Sequence, residues 1–433
     1  MIWNREMECA DRKTMRALQL EKLKKTVKHE YENVAPYRKK MDEAGVKPDD
    51  IKTLDDIRRL PFTQKEDLAA NYPTGLFAKP MHEIVRIQAS SGTTGKPKIA
   101  GYTRNDLDMW GECVARSLTM AGADKDSIVH VSYGYGLFTG GLGAHIGAET
   151  IGATVIPMSS GNTQKQVMFL EDMKSTHLCC TPSYALTIAE AVAKAGIKPE
   201  ELALKAGVFG AEPWTQAMRD KIEAGLGIKA HDIYGLSEIM GPGVSTSCTE
   251  NNGMHIHEDY FYPEIIDPDT LEPVPDGEKG ELVITTLGKE GMPLIRYRTR
   301  DICYLMREKC ACGRTTVRMS RVFGRTDDML IIRGVNVFPS QVETVIAKFD
   351  KELTMNYKLY IGRENNTDTF ELAVELAEGL ALDDIGFVEM MRGRVEHALR
   401  DILGIGCKVR LLNEGTLPRS EGKAVRVEDT RKL

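Results

Sequence analysis

No stretch of the 433-residue sequence approaches the roughly 18 uninterrupted apolar residues that a membrane span requires, so no spanning helix is expected. The opening residues turn charged at Arg5 and Glu6, which leaves no apolar leader core and predicts a cytoplasmic protein. A basic stripe is missing as well: 57 Lys and Arg are scattered among 63 Asp and Glu, for a net charge of −6. Nothing there would neutralise a phosphate backbone, and nucleic acid is excluded as an expected partner. Internal repeats and low-complexity segments are absent, because the 39 Gly and 18 Pro are spread along the chain. Cysteine is scarce. Nine in a chain this long, without secretory features, read as reduced thiols or metal ligands rather than as a disulfide framework.

What remains is a composition 42% hydrophobic, in a chain longer than one core supports, so a large domain and a smaller one are expected. Residues 1–80 form a helical lead-in, with Met15, Leu18, Leu20, Leu23 and Val27 recurring at helical spacing. From about Ile84 short β-branched runs alternate with helical stretches: Ile128–Val131, Thr154–Ile156 and Gly207–Phe209 are examples. That alternation predicts an α/β fold with mostly parallel strands and helices on both faces. A small β-rich subdomain is expected at about 245–323, with strands at Glu281–Thr285 and Asp301–Leu305. The boundary falls at Arg325 to Asp328, giving domains 1–326 and 327–433. The second is an α+β unit with strands at Met329–Ile332 and Thr369–Leu376 and helices at Pro339–Phe349 and Phe387–Leu403.

The chemistry begins at Ser90-Ser91-Gly92-Thr93-Thr94-Gly95-Lys96-Pro97-Lys98. Glycines let backbone N–H groups turn toward an anion, hydroxyls add donors, and the lysines supply charge, so the run reads as a phosphate cradle. It is not a Walker loop, since Pro97 stands where that motif needs Gly, and it lacks the dinucleotide Gly-x-Gly-x-x-Gly. An isolated Gly-Thr-Thr-Gly would be an ordinary surface loop. As a whole, the run resembles the phosphate loop of the adenylate-forming superfamily, which grips the β- and γ-phosphates while pyrophosphate leaves.

Further motifs follow in that superfamily's order. Gly210-Ala211-Glu212-Pro213 resembles the segment packed on adenine, and Tyr234-Gly235-Leu236-Ser237-Glu238 resembles Tyr-Gly-x-Ser/Thr-Glu. The resemblance implies that Tyr234 stacks on adenine, Ser237 meets the α-phosphate and Glu238 supports Mg²⁺; a carboxylate attacking phosphorus needs such a metal to screen two anions. Tyr297-Arg298-Thr299-Arg300-Asp301 is similar to Tyr-Arg-Thr-x-Asp, whose Asp accepts both ribose hydroxyls, a role suited to two acceptor oxygens. In Gly324-Arg325-Thr326-Asp327-Asp328, Arg325 would also reach the ribose and Asp327 would be the hinge. Lys423, in Leu417-Pro418-Arg419-Ser420-Glu421-Gly422-Lys423, would be the catalytic lysine that stabilises charge in the adenylation transition state.

Across nearly its whole length the sequence resembles the phenylacetate-coenzyme A ligase family, through Leu60-Pro61-Phe62-Thr63, the run from Tyr133 to Gly143, and Ile331-Ile332-Arg333-Gly334-Val335-Asn336-Val337-Phe338-Pro339. The resemblance implies ATP-dependent formation of an aryl-acyl adenylate, then of an aryl-acyl thioester of coenzyme A, with a carrier-protein thiol as the alternative acceptor. It places Tyr133 and Phe138 at the aryl group, with Gly210 and Ala211 as pocket floor, and Arg333, Gly334 and Asn336 on the coenzyme A side. Aromatic slots of this kind suit flat acids. Ile146, after His145, stands where Tyr is expected, which leaves the aryl acid open among phenylacetate, indoleacetate, hydroxyphenylacetate and benzoate types. A homodimer is also left open.

Cys310-Ala311-Cys312-Gly313 forms a knuckle that Cys248 and His255 would complete as a tetrahedral structural Zn²⁺ site, with His257 as the rival imidazole. The adjacent Cys179-Cys180 read as core.

Overall fold

The computed structural model describes residues 1–90, 97–326, 330–333, 335–364, 367–418 and 425–431. The helical lead-in is present, dominated by Arg12–Asn33, whose N-terminus is capped by the Asp11 carboxylate accepting from Thr14 N–H. Its buried face holds Met15, Leu23 and Val27 as the periodicity predicts, but also Gln19 and Glu30. Gln19 follows from what the helix covers: it donates to Glu258 O (3.0 Å), as Lys22 does to Asp259 O (2.6 Å), so this face reads backbone carbonyls as well as apolar surface.

A nine-stranded sheet carries the large unit. From one edge its strands are Leu305–Met306, Arg318–Met319, Met254–Ile256, Gly241–Ser247, Lys229–Leu236, Ala206–Gly210, His177–Cys180, Ile128–Val131 and Thr154–Ile156. The last five are parallel and the first four join antiparallel. Helices Arg104–Met120, Thr139–Ile151, Thr163–Asp172, Pro182–Lys194 and Gln216–Leu226 are interleaved with these strands. Every residue of His177–Cys180 is buried, as a strand covered on both faces must be, and Cys179 and Cys180 are core.

The β-rich stretch 245–323 divides between two sheets. Phe261–Ile266, Gly280–Thr286 and Tyr297–Cys303 pair antiparallel, with Gly324–Arg325 at the edge, while three other strands of the stretch extend the nine-stranded sheet. The expected strand Asp301–Leu305 is accordingly broken: Tyr304 N–H turns to Ser320 Oγ (3.1 Å), and Leu305–Met306 joins the larger sheet.

The C-terminal unit has a four-stranded sheet in the order Lys408–Leu412, Thr367–Leu376, Leu353–Glu364, Val427–Asp429, with helices Pro339–Ile346 and Ile385–Leu403. One apolar cluster runs from Leu170, Ile188 and Ile222 of the large unit into Val345, Leu359 and Val395 of the small one. Lys221 Nζ donates to Asp350 O (3.4 Å) across this junction, and Lys194 faces Glu414 at 3.7 Å. Among the described residues no helix is long and apolar enough to cross a membrane.

Candidate active site

The predicted motifs converge at one end of the parallel strands. Strand Lys229–Leu236 ends in the Tyr234-Gly235 pair, and only glycine fits at 235, because an added Cβ would lie 1.8 Å from Gly241 O. The chain then turns through Ser237 and Glu238, both buried. Glu238 Oε1 accepts from Tyr297 OH at 2.6 Å and faces Lys98 Nζ at 3.5 Å. Ser237 Oγ lies 3.2 Å from Thr139 Oγ1, at the start of helix Thr139–Ile151.

Asp301 is held from two sides: Oδ2 accepts from Tyr234 OH (2.6 Å) and Oδ1 from Arg325 Nη1 (3.0 Å). Burial pushes the Tyr234 phenol well up, with the Asp301 charge adding to it, so Tyr234 stays a donor. Strand Gly324–Arg325 pairs with Asp301 and Ile302, which puts the predicted inter-domain segment directly on the ribose-type motif.

The base of the phosphate loop is closed by two bonds, Ser90 N–H to Lys98 O (3.0 Å) and Lys98 N–H to Ser90 Oγ (3.2 Å). Ser91, Gly92, Thr93, Thr94 and Gly95 lie outside the described residues, as do Asp327, Gly334 and Lys423. Ala89 N–H donates to Leu137 O (2.8 Å), joining the loop to the aromatic segment. There Tyr133 is buried and Phe138 is 37% exposed, with their rings tilted at 55° and centroids 6.5 Å apart. Gly140 keeps the corner open: a Cβ would meet Phe138 at 2.5 Å. At Gly210 a Cβ would lie 2.1 Å from Ile233 O, and Ala211 takes a positive φ of 74°.

Some candidates are occupied elsewhere. Glu212 Oε1 accepts from Ser183 N–H (2.7 Å) at the start of helix Pro182–Lys194, and Pro213 is exposed. Ile146 packs toward the helix Arg104–Met120, where a Cβ at Gly111 would lie 2.9 Å from its Cγ2. Arg333 is exposed with φ 51°, its Nε donating to Asp368 O (2.9 Å) and its Nη1 to Gly406 O (3.2 Å), while Asn336 lies in strand Val335–Val337.

Sequence reasoning did not single out Tyr297, Thr139, Tyr102 or Lys289 as site residues. Tyr297 was findable: on one strand, positions 297 and 301 share a face. Thr139 stands within the run from Tyr133 to Gly143 without a role assigned there, and Tyr102 and Lys289 come from remote segments with no local signal.

The three cysteines and the histidine of the predicted knuckle come together. Ligand atoms of Cys248, His255, Cys310 and Cys312 all lie within 4.8 Å of one another. Cys248 Sγ to Cys310 Sγ is 3.7 Å and Cys312 Sγ to His255 Nε2 is 3.4 Å. Tetrahedral Zn²⁺ with its usual bond lengths needs edges of about 3.8 Å between sulfurs and about 3.6 Å between sulfur and nitrogen. His255 Nδ1 meets Thr316 Oγ1 at 3.0 Å, which aims Nε2 at the cluster. Burial opposes ionisation of Cys312, yet His255 and Arg314 hold its thiol well below the ordinary range. His257 lies outside the cluster, with Nε2 3.5 Å from Ser117 Oγ, so of the two imidazoles it is His255 that stands among the thiols.

The AMP-binding enzyme family matches residues 10–288, and the AMP-binding enzyme C-terminal domain matches residues 334–431. The phenylacetate-coenzyme A ligase of Thermus thermophilus is 51% identical over 447 residues, covering 100% of both chains. Among solved structures, 2-hydroxyisobutyryl-CoA ligase in the postadenylation state with 2-HIB-AMP superposes with a TM-score of 0.91 at 30% identity, covering 99% of this chain and 92% of that one. The same ligase with 2-HIB-AMP and CoA in the thioesterification state gives 0.74 over the same shares of both chains. A match at this identity, running from end to end, makes the chain a member of the phenylacetate-coenzyme A ligase family and an AMP-forming acid–CoA ligase.

Proposed function

We propose that the acid is phenylacetate and that the buried Glu238, gripped by Tyr297 and facing Lys98 at the mouth of the phosphate loop, marks where its activation occurs. A carboxylate oxygen of the acid attacks the α-phosphorus of ATP, and pyrophosphate leaves along the Ser90 to Lys98 loop. Ser237 contacts the α-phosphate, Asp301 and Arg325 hold the ribose, Tyr234 and the Gly210–Pro213 segment border adenine, and Lys423 stabilises the crowded oxygens. Mg²⁺, held by Glu238 with the ATP phosphates, would supply the screening charge. The small domain then pivots at Asp327 and brings Arg333, Gly334 and Asn336 to the pantetheine arm; the coenzyme A sulfur attacks the acyl carbon and AMP departs.

The aryl group enters between Tyr133 and Phe138 with Gly210 and Ala211 beneath, a slot whose openness depends on the missing Cβ at Gly140, which would meet both rings. A panel of aryl acids in ATP–pyrophosphate exchange tests the assignment. Phenylacetate is expected to give the highest kcat/KM. An indole or benzoate acid ahead of it would show that the slot is cut for another ring, and a carrier-protein thiol outperforming free coenzyme A would transfer the second half-reaction to that acceptor.

We assign the Cys248, His255, Cys310 and Cys312 cluster a structural Zn²⁺ that braces the knuckle against the N-terminal segment, where Arg314 pairs with buried Glu8 (2.5 Å). Cys312→Ser is expected to lower bound zinc from one equivalent toward none by elemental analysis and to reduce the melting temperature by several degrees. Its adenylation rate per folded molecule should be unchanged, because the cluster contributes no group to the site. Full zinc content in this variant would remove Cys312 from the ligand set.

A further inference from the structure

Lys289 is among the largest fully buried side chains of the described residues, and among them no ion pair within 4 Å joins it to a carboxylate. A buried ammonium costs several kcal/mol unless its donors are used. Here they are used on backbone: Nζ donates to Glu238 O (3.0 Å) and Ile239 O (2.7 Å), and lies 5.0 Å from the Tyr102 ring centroid. Tyr102 completes the set, its hydroxyl reaching Ser237 O (3.0 Å) and Met240 O (3.1 Å). Two side chains thus lie within hydrogen-bond distance of all four carbonyls of the turn Ser237 to Met240, from which Ser237 and Glu238 project, with the single Tyr102 proton shared between Ser237 O and Met240 O.

Both groups are themselves rigidly mounted. Asp106, at the start of helix Arg104–Met120, accepts from Glu290 N–H (2.7 Å) and Gly291 N–H (2.8 Å), and Glu290 accepts from Thr103 and Asn105. Ala78 N–H donates to Gly291 O (2.9 Å). Tyr102 stacks on Trp110 at 5.3 Å, and Trp110 Nε1 donates to Pro242 O (2.9 Å). Burial pushes the Lys289 ammonium down to about 8 against the raising pull of Asp106 and Glu238, so it remains charged near neutrality.

Resting on the role given to Glu238 above, we infer that Lys289 and Tyr102 are positioning residues for adenylation: they clamp the Ser237–Met240 turn so that the Glu238 carboxylate meets the metal–nucleotide at a fixed distance. A turn free to shift by an ångström would misplace the charge on which the first half-reaction depends, whereas the attack of coenzyme A on a preformed adenylate does not use that carboxylate.

The test compares Lys289→Met, Tyr102→Phe and Glu238→Gln in the full chain, measuring ATP–pyrophosphate exchange as a function of MgATP, thioester formation from synthetic phenylacetyl-adenylate, and melting temperature. Lys289→Met is expected to lower exchange roughly 100-fold and Tyr102→Phe about tenfold, with the MgATP KM raised and the second half-reaction within about twofold of wild type. Tyr102→Phe removes a single oxygen, so it decides the matter even if Lys289→Met does not fold. Equal losses in both half-reactions alongside a lower melting temperature would reduce the clamp to a folding element. Exchange retained in both clamp variants but lost in Glu238→Gln would overturn this inference alone; exchange retained in Glu238→Gln would overturn the role of Glu238 on which it rests.

Discussion

Lys423→Ala is expected to lower ATP–pyrophosphate exchange by roughly 10²- to 10³-fold, about 3–4 kcal/mol, as loss of a group aimed at developing transition-state charge typically does. Thioester formation from synthetic phenylacetyl-adenylate and coenzyme A should stay within a few-fold of wild type. The split follows from the chemistry of each step. Adenylation crowds a carboxylate against three phosphates, and a compact ammonium has its greatest effect there. In the second step AMP leaves and negative charge disperses, so a lysine that has swung away contributes nothing. Equal loss in both assays would place Lys423 in the site throughout the cycle and remove the need for a pivot.

Glu238→Gln should also lower exchange by roughly 10²-fold and should shift the Mg²⁺ concentration needed for half-maximal rate upward. The structure makes this substitution informative because the amide has nearly the carboxylate's shape. Its oxygen can still accept from Tyr297, so the turn at Ser237–Met240, clamped from behind by Lys289 and Tyr102, has no reason to collapse. What is lost is the charge, together with its pairing to Lys98 at 3.5 Å. An unchanged melting temperature with a raised metal requirement identifies the electrostatic loss; an unchanged exchange rate would mean that the carboxylate only props the turn.

Local periodicity made much of the fold legible. The runs Ile128–Val131 and Thr154–Ile156 read as strands because both are rich in β-branched residues, and helix Ile385–Leu403 was found nearly whole by its spacing. The long strand Leu353–Glu364 went unread, although buried Leu353, Met355, Tyr357, Leu359 and Ile361 alternate regularly with half-buried positions that include Lys358 and Tyr360. The break at Tyr304 could not have been read at all. It depends on Ser320, sixteen positions away, taking a backbone N–H that a longer strand would have used.

By itself the sequence carried the family resemblance: Tyr234-Gly235-Leu236-Ser237-Glu238, Asp301 and the Cys310-Ala311-Cys312-Gly313 knuckle are recognisable through residue type and close spacing, which are local properties. Only the tertiary structure decided which partners complete them. It set His255 and not His257 among the three thiols, turned Glu212 to a helix N-terminus, and brought Lys289 and Tyr102 behind the Ser237–Met240 turn. Those choices depend on contacts between residues tens to hundreds of positions apart, and such contacts exist only after the sheet has ordered its strands.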